Sequence, residues 1–459
     1  MIVIDNEQWI QENFAAAQLK DKRRTKRLLK VAKHLLDAPD ATLPKQNTQW
    51  SDLKAAYRLF DSPHVTFQGV AEPHWQATRL GATNRCLLIS DTTELDFTDH
   101  PATTGLAQIG NGYGSGMLLH SCLVYDTQAG QVGGVAAART HHRKKVSKKE
   151  TRTKRLKRIR ESSLWGQVVD DVGQAPEAAQ WIHVFDRGGD NFEAMCHIAL
   201  TKCDFVIRAS KLNRNVISDS GEIITLEEAI AEANANVLGS YELNLRSRQG
   251  VKARTAKIQV SSVSVTFKRP ALTSPWVKKC GVEQIKTNVV IVQEVDAPKG
   301  IKPIKWVLLT TLAVDTFSAA WQVIEDYEHR WLIEEYHKVL KSGCKIQSPQ
   351  LQTSDRLEAI IGITTVIGSR LLAMKYLGRN QPTAKASTHV PKSWLRCLKA
   401  ARPKLKMTNL TVYSFFRELA KMGGFLARTG DGEPGWETTW HGYQKLQMLL
   451  AGMRLVTEI

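Results

Sequence analysis

The residues best suited to chemistry lie between Asp326 and Lys341, where Tyr327, Arg330, Glu334, Lys338 and Lys341 recur at intervals of three and four. No Pro or Gly interrupts 317–342, so the spacing predicts one continuous helix there. At about 100° per residue these five share a face, whereas Leu332, Ile333, Tyr336, Val339 and Leu340 fall on the opposite one. One carboxylate among three cations and a phenol suits a site that handles a phosphate backbone: the acid holds a metal and the cations hold phosphates. The plainer alternative is a solvated helix face laced by pairs such as Arg330–Glu334 and Glu334–Lys338.

Two further acids stand where strands are expected to end. Arg85 to Asp91 is an apolar run closing on Asp91, and Trp181 to Asp186 is another closing on Asp186. Between them, Met117–Tyr125 and Val132–Ala138 read as strands and Ser163–Val172 as a helix; Asn191–Leu200 then reads as a helix and Asp204–Ser210 as a strand. That order describes an α/β, ribonuclease-H-like sheet, in which neighbouring strand ends bring such side chains together. Glycines 110, 112, 114 and 116 sit between strands and read as a turn, not as a phosphate-binding loop. Asp91, Asp186 and Glu334 would then face one another. Three clustered carboxylates repel, and oxygen donors of this kind select Mg²⁺, with Mn²⁺ as a substitute. Two such ions would serve an in-line phosphoryl transfer. A lone Asp at a strand end is ordinarily a turn or cap residue, so the assignment rests on the three occurring together. Glu94, Asp96, Asp190 and Glu335 are nearby acids not expected to be ligands.

The remaining segments suggest what positions and surrounds this site. Residues 1–65 are expected to form a helical, basic domain, with Asp21 capping a helix that carries Lys22 to Arg27 and then Leu28, Val31, Ala32, Leu35 and Leu36. The catalytic domain is expected over 66–375, with a β-rich insertion at about 212–315, and a helical C-terminal region over 376–459 behind a polar linker, Gly378 to Pro391. Arg208 and Lys211 would lie at the edge of the site as phosphate contacts. Lys and Arg total 63 against 45 Asp and Glu, a net charge of +18, which points to DNA or RNA as partner. Residues 139–160 alone hold 12 Lys and Arg against the single acid Glu150, either a solvated run or an arm on DNA. Seven isolated cysteines show no zinc spacing and read as reduced core thiols. No stretch has 18 consecutive apolar residues or reads as a signal peptide, so the expectation is a soluble, cytoplasmic protein without membrane contact, in a cell where DNA is accessible to it.

The order Tyr327, Arg330, Glu334, Lys341, within the run His329 to Lys338, resembles the Y-R-E-K signature of bacterial DDE transposases of the insertion-sequence-four type. Asp91-Thr92-Thr93-Glu94-Leu95 and Asp186-Arg187 resemble the first two catalytic motifs of that family. The resemblance implies that Asp91, Asp186 and Glu334 are the metal-binding catalytic triad. Leu19 to Thr25 and Ala56 to Phe60 resemble the family's end-recognition domain, implying that Arg24, Arg27 and Arg58 contact terminal inverted repeats. Gly423-Gly424-Phe425 and Trp436 to Leu446 resemble its C-terminal dimerisation region. The implied activity is cut-and-paste transposition by a homodimer, nucleoid-associated in a bacterial cytoplasm, with inverted-repeat and target duplexes as partners and a hairpin intermediate. Closing a hairpin needs a base moved out of the stack, and Trp306 is the candidate to receive it, unless it is a core residue. Two alternatives are a transposase-derived DNA-binding repressor and a nuclease that cuts without joining. The basic run 139–160 departs from the family's best-known member, in which the corresponding loop is far more acidic.

Overall fold

The structure, a computed structural model, describes residues 5–47, 49–146, 149–233, 237–247 and 252–457. Its strands are β1 (Arg85–Asp96), β2 (Ala107–Ile109), β3 (Gly114–Asp126), β4 (Gln131–His141), β5 (Gln180–Phe185), β6 (Asp204–Arg208), β7 (Asn215–Ser218), β8 (Ile223–Thr225), β9 (Val237–Leu245), β10 (Arg254–Lys268), β11 (Gln284–Val295) and β12 (Lys305–Thr310). All twelve belong to one sheet, in the order β2-β3-β1-β5-β6-β12-β11-β10-β7-β8, with β4 also on β3 and β9 also on β10. The stretch expected as an insertion therefore extends the main sheet, because β12 pairs antiparallel with β6 at Leu308–Arg208 and Leu309–Ile207.

Strand alternation assigns the two faces. Leu87 and Ile89 enter one core with the N-terminal helices, the helices after residue 316 and the C-terminal helices. Cys86 and Leu88 enter the other, with helices Leu164–Val172, Phe192–Leu200 and Leu226–Ala233. The molecule is thus a mixed sheet between two helical layers. Through the first layer runs Ser354–Asn380, long and apolar enough to cross a membrane by length and composition, yet 94% of its most apolar window is buried within the protein. That helix carries the chain past position 375 unbroken, so the linker expected from Gly378 starts only after Asn380. Leu377 and Gly378 are buried, and Gly378 lies against the Phe416 ring. The seven cysteines are free, six of them buried.

The helix expected over 317–342 is two helices. Phe317–Glu328 ends where His329 Nδ1 meets the Glu325 carbonyl at 2.7 Å and the Arg330 N–H turns back to the Tyr327 carbonyl at 3.0 Å. Trp331–Lys338 follows and runs into a π-helical turn, Val339–Gly343. The first helix buries Ala320, Val323, Ile324 and Tyr327, a three-and-four pattern that puts Tyr327 on its inner face. The shared exposed stripe read from a continuous wheel is thereby corrected: Tyr327 is only 4% exposed.

Arg85, the first residue of β1, holds Asp326 through two contacts of 2.8 and 2.5 Å, with the carboxylate side chain 1% exposed. This pair ties the Phe317–Glu328 helix to the sheet just ahead of the break. Removing one partner of a buried pair leaves the other charge uncompensated, which costs about 3–5 kcal/mol. Arg85→Ala is therefore expected to lower the thermal midpoint clearly, whereas a loss under about 1 kcal/mol, as at an exposed pair, would deny the tether this role.

Candidate active site

Asp91 is not at a strand end, as the sequence suggested, but inside β1, which continues to Asp96. The opening comes from the neighbour: β1 pairs in parallel with β5 only from Arg85–Gln180 to Ile89–Val184, while its antiparallel pairing with β3 continues to Asp96–Gly116. Asp91 shares its face with Leu87 and Ile89, the layer that holds Trp331–Lys338, and that helix packs against β1. Asp186 follows β5 directly and accepts the Gly188 N–H at 2.7 Å, capping a short turn, Arg187–Gly189. Two glycines are needed there: a Cβ on Gly189 would stand 2.6 Å from the Phe185 side chain, and one on Gly188 2.9 Å from the Trp165 ring. Glu334 lies in the first turn of Trp331–Lys338.

Arg330 reaches both Glu334 and Asp91, and the Asp186 carboxylate is close enough to act on Asp91. Burial pushes the Asp91 carboxyl up from 3.8 to about 6, and the Asp186 and Glu334 carboxylates add to the rise, against the Thr92 N–H and Arg330. Arg330 binds Glu334 at 2.6 Å and approaches Asp91 at 3.9 Å. Among the described residues no three His, Cys, Asp or Glu side chains form a ready-made metal cage. The donor chemistry nonetheless fits a hard divalent cation, since every candidate donor is a carboxylate oxygen and burial with a like charge disfavours the Asp91 anion.

Beside the acids, Trp306 meets the Tyr327 ring edge-on at 5.3 Å, the Arg208 guanidinium lies 5.8 Å from the Trp306 ring centre, and Arg330 lies 5.9 Å from that of Tyr327. Burial raises the Tyr327 hydroxyl pKa, while Arg330 and Arg208 oppose the rise. Trp306 is half-buried, so it is neither a sealed core residue nor a free one. Lys211 and Lys338 are exposed. Lys341 is half-buried in the π-helical turn; burial lowers its pKa, and Glu94 and Asp96 at the far end of β1 oppose the drop.

In the N-terminal helices, Arg24 donates to the Leu19 carbonyl at 3.0 Å, Arg27 pairs with Asp52 at 2.9 Å, and Arg58 is exposed. Asp21 caps Lys22–Asp37 by accepting the Arg23 N–H at 2.8 Å. The four nearby acids have other engagements: Glu94 with Arg143, Asp96 with Thr98, Asp190 with Arg214 and Ser210, and Glu335 with Lys375 and Tyr376.

Sequence reasoning missed a supporting layer. Thr92, whose N–H donates to Asp91 at 2.7 Å, meets His120 Nδ1 through its hydroxyl at 2.7 Å. The His120 ring is edge-on to Trp165 at 4.7 Å, and Trp165 to Phe185 at 4.8 Å. Burial holds the His120 pKa down at about 3, so this ring stays neutral. A histidine in the middle of an apolar strand was the available signal.

Two family models match the chain. One, described as transposase DNA-binding, matches residues 6–65; the other, described as the transposase Tn5 dimerisation domain, matches residues 366–458. The sheet and the three acids lie between them.

The Asp91 shift carries a stability consequence. Its folded pKa lies above the unfolded value, so the stability tied to the protonated form is complete below pH 3.8 and lost as pH rises through about 6. In metal-free buffer, Asp91→Asn should unfold at a higher temperature than the unmodified chain at neutral pH, by about 1–3 kcal/mol, and the gap should close near pH 4. Equal midpoints at both pH values would mean that Arg330 already offsets the burial.

Proposed function

We propose that this chain, a Tn5-like transposase of the insertion-sequence-four type, is a DDE enzyme that cuts its element out as DNA and joins the 3′ ends to a target. The observation that carries the chemistry is that Arg330 contacts both Asp91 on the sheet and Glu334 on the helix packed against it, with Asp186 acting on Asp91, in a part of the chain between matches to a transposase DNA-binding domain and a Tn5-type dimerisation domain. In this reading residues 6–65 grip the terminal inverted repeat, with Arg24, Arg27 and Arg58 toward it. The C-terminal helices pair two copies so that both ends are held together, in the bacterial cytoplasm where DNA is accessible.

Asp91, Asp186 and Glu334 would hold Mg²⁺, replaceable by Mn²⁺. Bound there, the cation supplies a lowered pKa for water or a 3′-hydroxyl and charge relief for the leaving oxygen. The protein's own part is positional. Asp91 and Asp186 are fixed by backbone N–H groups of Thr92 and Gly188, so neither has to be ordered when substrate arrives. Arg330, Lys338, Lys341, Arg208 and Lys211 would hold phosphates around the cut bond, and Tyr327, braced between Arg208 and Arg330, would orient them. Trp306 would receive a flipped base during hairpin closure, which its half-buried position supports by leaving one part of the ring outside the core.

Asp91→Ala, Asp186→Ala and Glu334→Ala are each expected to abolish Mg²⁺-dependent cleavage while binding to end DNA is retained, because affinity resides mainly in the N-terminal domain. Cleavage by any of the three near the unmodified rate would remove that residue from the triad. Binding without cutting by the unmodified chain would favour a repressor, and cutting without joining a nuclease.

Trp306→Ala should lower the ratio of hairpin to nicked end with a stability loss smaller than the about 3–5 kcal/mol of a fully buried aromatic. A folded variant with an unchanged ratio would leave Trp306 a packing residue only.

A further inference from the structure

The strongest charge feature outside the acid cluster is the segment between β4 and the Leu164–Val172 helix, and both its feet are pinned beside that cluster. At the leading foot Arg143 bridges Glu94 at 2.8 Å and Glu161 at 3.0 Å; Glu94 lies three residues beyond Asp91 on β1. At the trailing foot Arg160 holds Glu193 at 3.2 Å, on the Phe192–Leu200 helix that follows Asp186. Between the feet, Arg158 takes Glu150 at 2.8 Å, and Thr151 caps a short helical turn, Arg152–Lys157. Ser147 and Lys148 lie outside the described residues.

What projects is positive. Lys144, Lys145, Arg152, Lys154, Arg155 and Lys157 are exposed, and none is in a salt bridge among the described residues. The acids within reach, Glu94, Glu150, Glu161 and Glu193, are occupied by Arg143, Arg158 and Arg160. A merely solvated run has no need of anchored feet, whereas a surface for a polyanion gains from having its geometry set in advance. An aromatic stands at the same junction: Tyr113, 89% exposed, lies on the turn whose Gly110 N–H donates to Glu94 at 3.0 Å.

We propose that Lys144, Lys145, Arg152, Lys154, Arg155 and Lys157 bind the backbone of a second duplex, the target DNA into which a cleaved end is joined. The position favours a second duplex over the transposon end. The end-binding helices pack into the core on one face of the sheet, whereas the Leu164–Val172 helix, to which this segment returns, packs into the core on the other. The identity of the duplex as target rests on the transposase reading above; its recognition through phosphates does not.

The test uses the full chain with Lys144, Lys145, Arg152, Lys154, Arg155 and Lys157 all changed to Gln, positions whose exposure leaves folding intact. Three quantities are compared with the unmodified chain at about 150 mM salt: cleavage of end duplexes, joining of pre-cleaved ends to a plasmid, and the salt dependence of binding to a duplex without end sequence. The expected result is unchanged cleavage, joining reduced by about tenfold or more, and a log K against log[salt] slope shallower by about 5, six contacts at about 0.9 each. An unchanged slope overturns the proposal, because the cations then only face water. Equal losses of cleavage and joining also overturn it, because the segment then grips the end's own duplex. Should the unmodified chain neither cut nor join, the transposase chemistry fails, and the slope still decides whether the segment binds duplex DNA.

Discussion

Bringing carboxylates together in a half-buried cleft is unfavourable, and much of this architecture is arranged around that cost. The parallel partner β5 stops at Phe185 while β1 runs on to Asp96, so the sheet opens where Asp91 stands and Asp186 turns in beside it. Neither side chain is left to find its place: backbone N–H groups hold one oxygen of each. Burial first, and the neighbouring Asp186 carboxylate second, push the Asp91 carboxyl up to about 6. Arg330 supplies an opposing charge, at 2.6 Å from Glu334 and 3.9 Å from Asp91.

The break between helices Phe317–Glu328 and Trp331–Lys338 marks the limit of what the sequence disclosed. The unbroken apolar run from Cys86 to Ile89 marked β1, and in the structure its residues enter both cores, with Asp91 on the face of Leu87 and Ile89. The types and order of the acids were equally legible. A wheel, by contrast, assumes unbroken 100° steps, and no Gly or Pro announces the turn at His329–Arg330. It shows only in the hydrogen bonds, where the Arg330 N–H returns to the Tyr327 carbonyl instead of to that of the residue four back. Tyr327 was misplaced for that reason, and the π-helical turn under Lys341 shifted the phase again.

Boundaries were less legible because the terminal regions do not pack as separate bodies. Asn6 in the first described helix donates to the Tyr443 hydroxyl at 3.3 Å and to Gln447 at 3.2 Å, both in the last helix, and accepts from Arg370 at 3.1 Å. One continuous core runs from Ile10 to Leu450, with Ser354–Asn380 as its axis. A linker was expected where composition turns polar, from Gly378, but the helix, with Leu377 and Gly378 buried, runs on to Asn380. Composition reports what a segment exposes on average, whereas a boundary depends on which partner covers it.

The distribution of charge follows one pattern from the centre outward. Glu334 is held by Arg330; Glu94, Asp190, Glu193 and Glu335 are each held by a cation of their own, Arg143, Arg214, Arg160 and Lys375. Asp186 alone of the triad makes no salt bridge among the described residues, being held by a backbone N–H instead. Asp186 therefore stands at the opening of the sheet without a cation of its own. Because Glu94, Glu161 and Glu193 are already paired, Lys144, Lys145, Arg152, Lys154, Arg155 and Lys157 remain exposed and outside any salt bridge among the described residues.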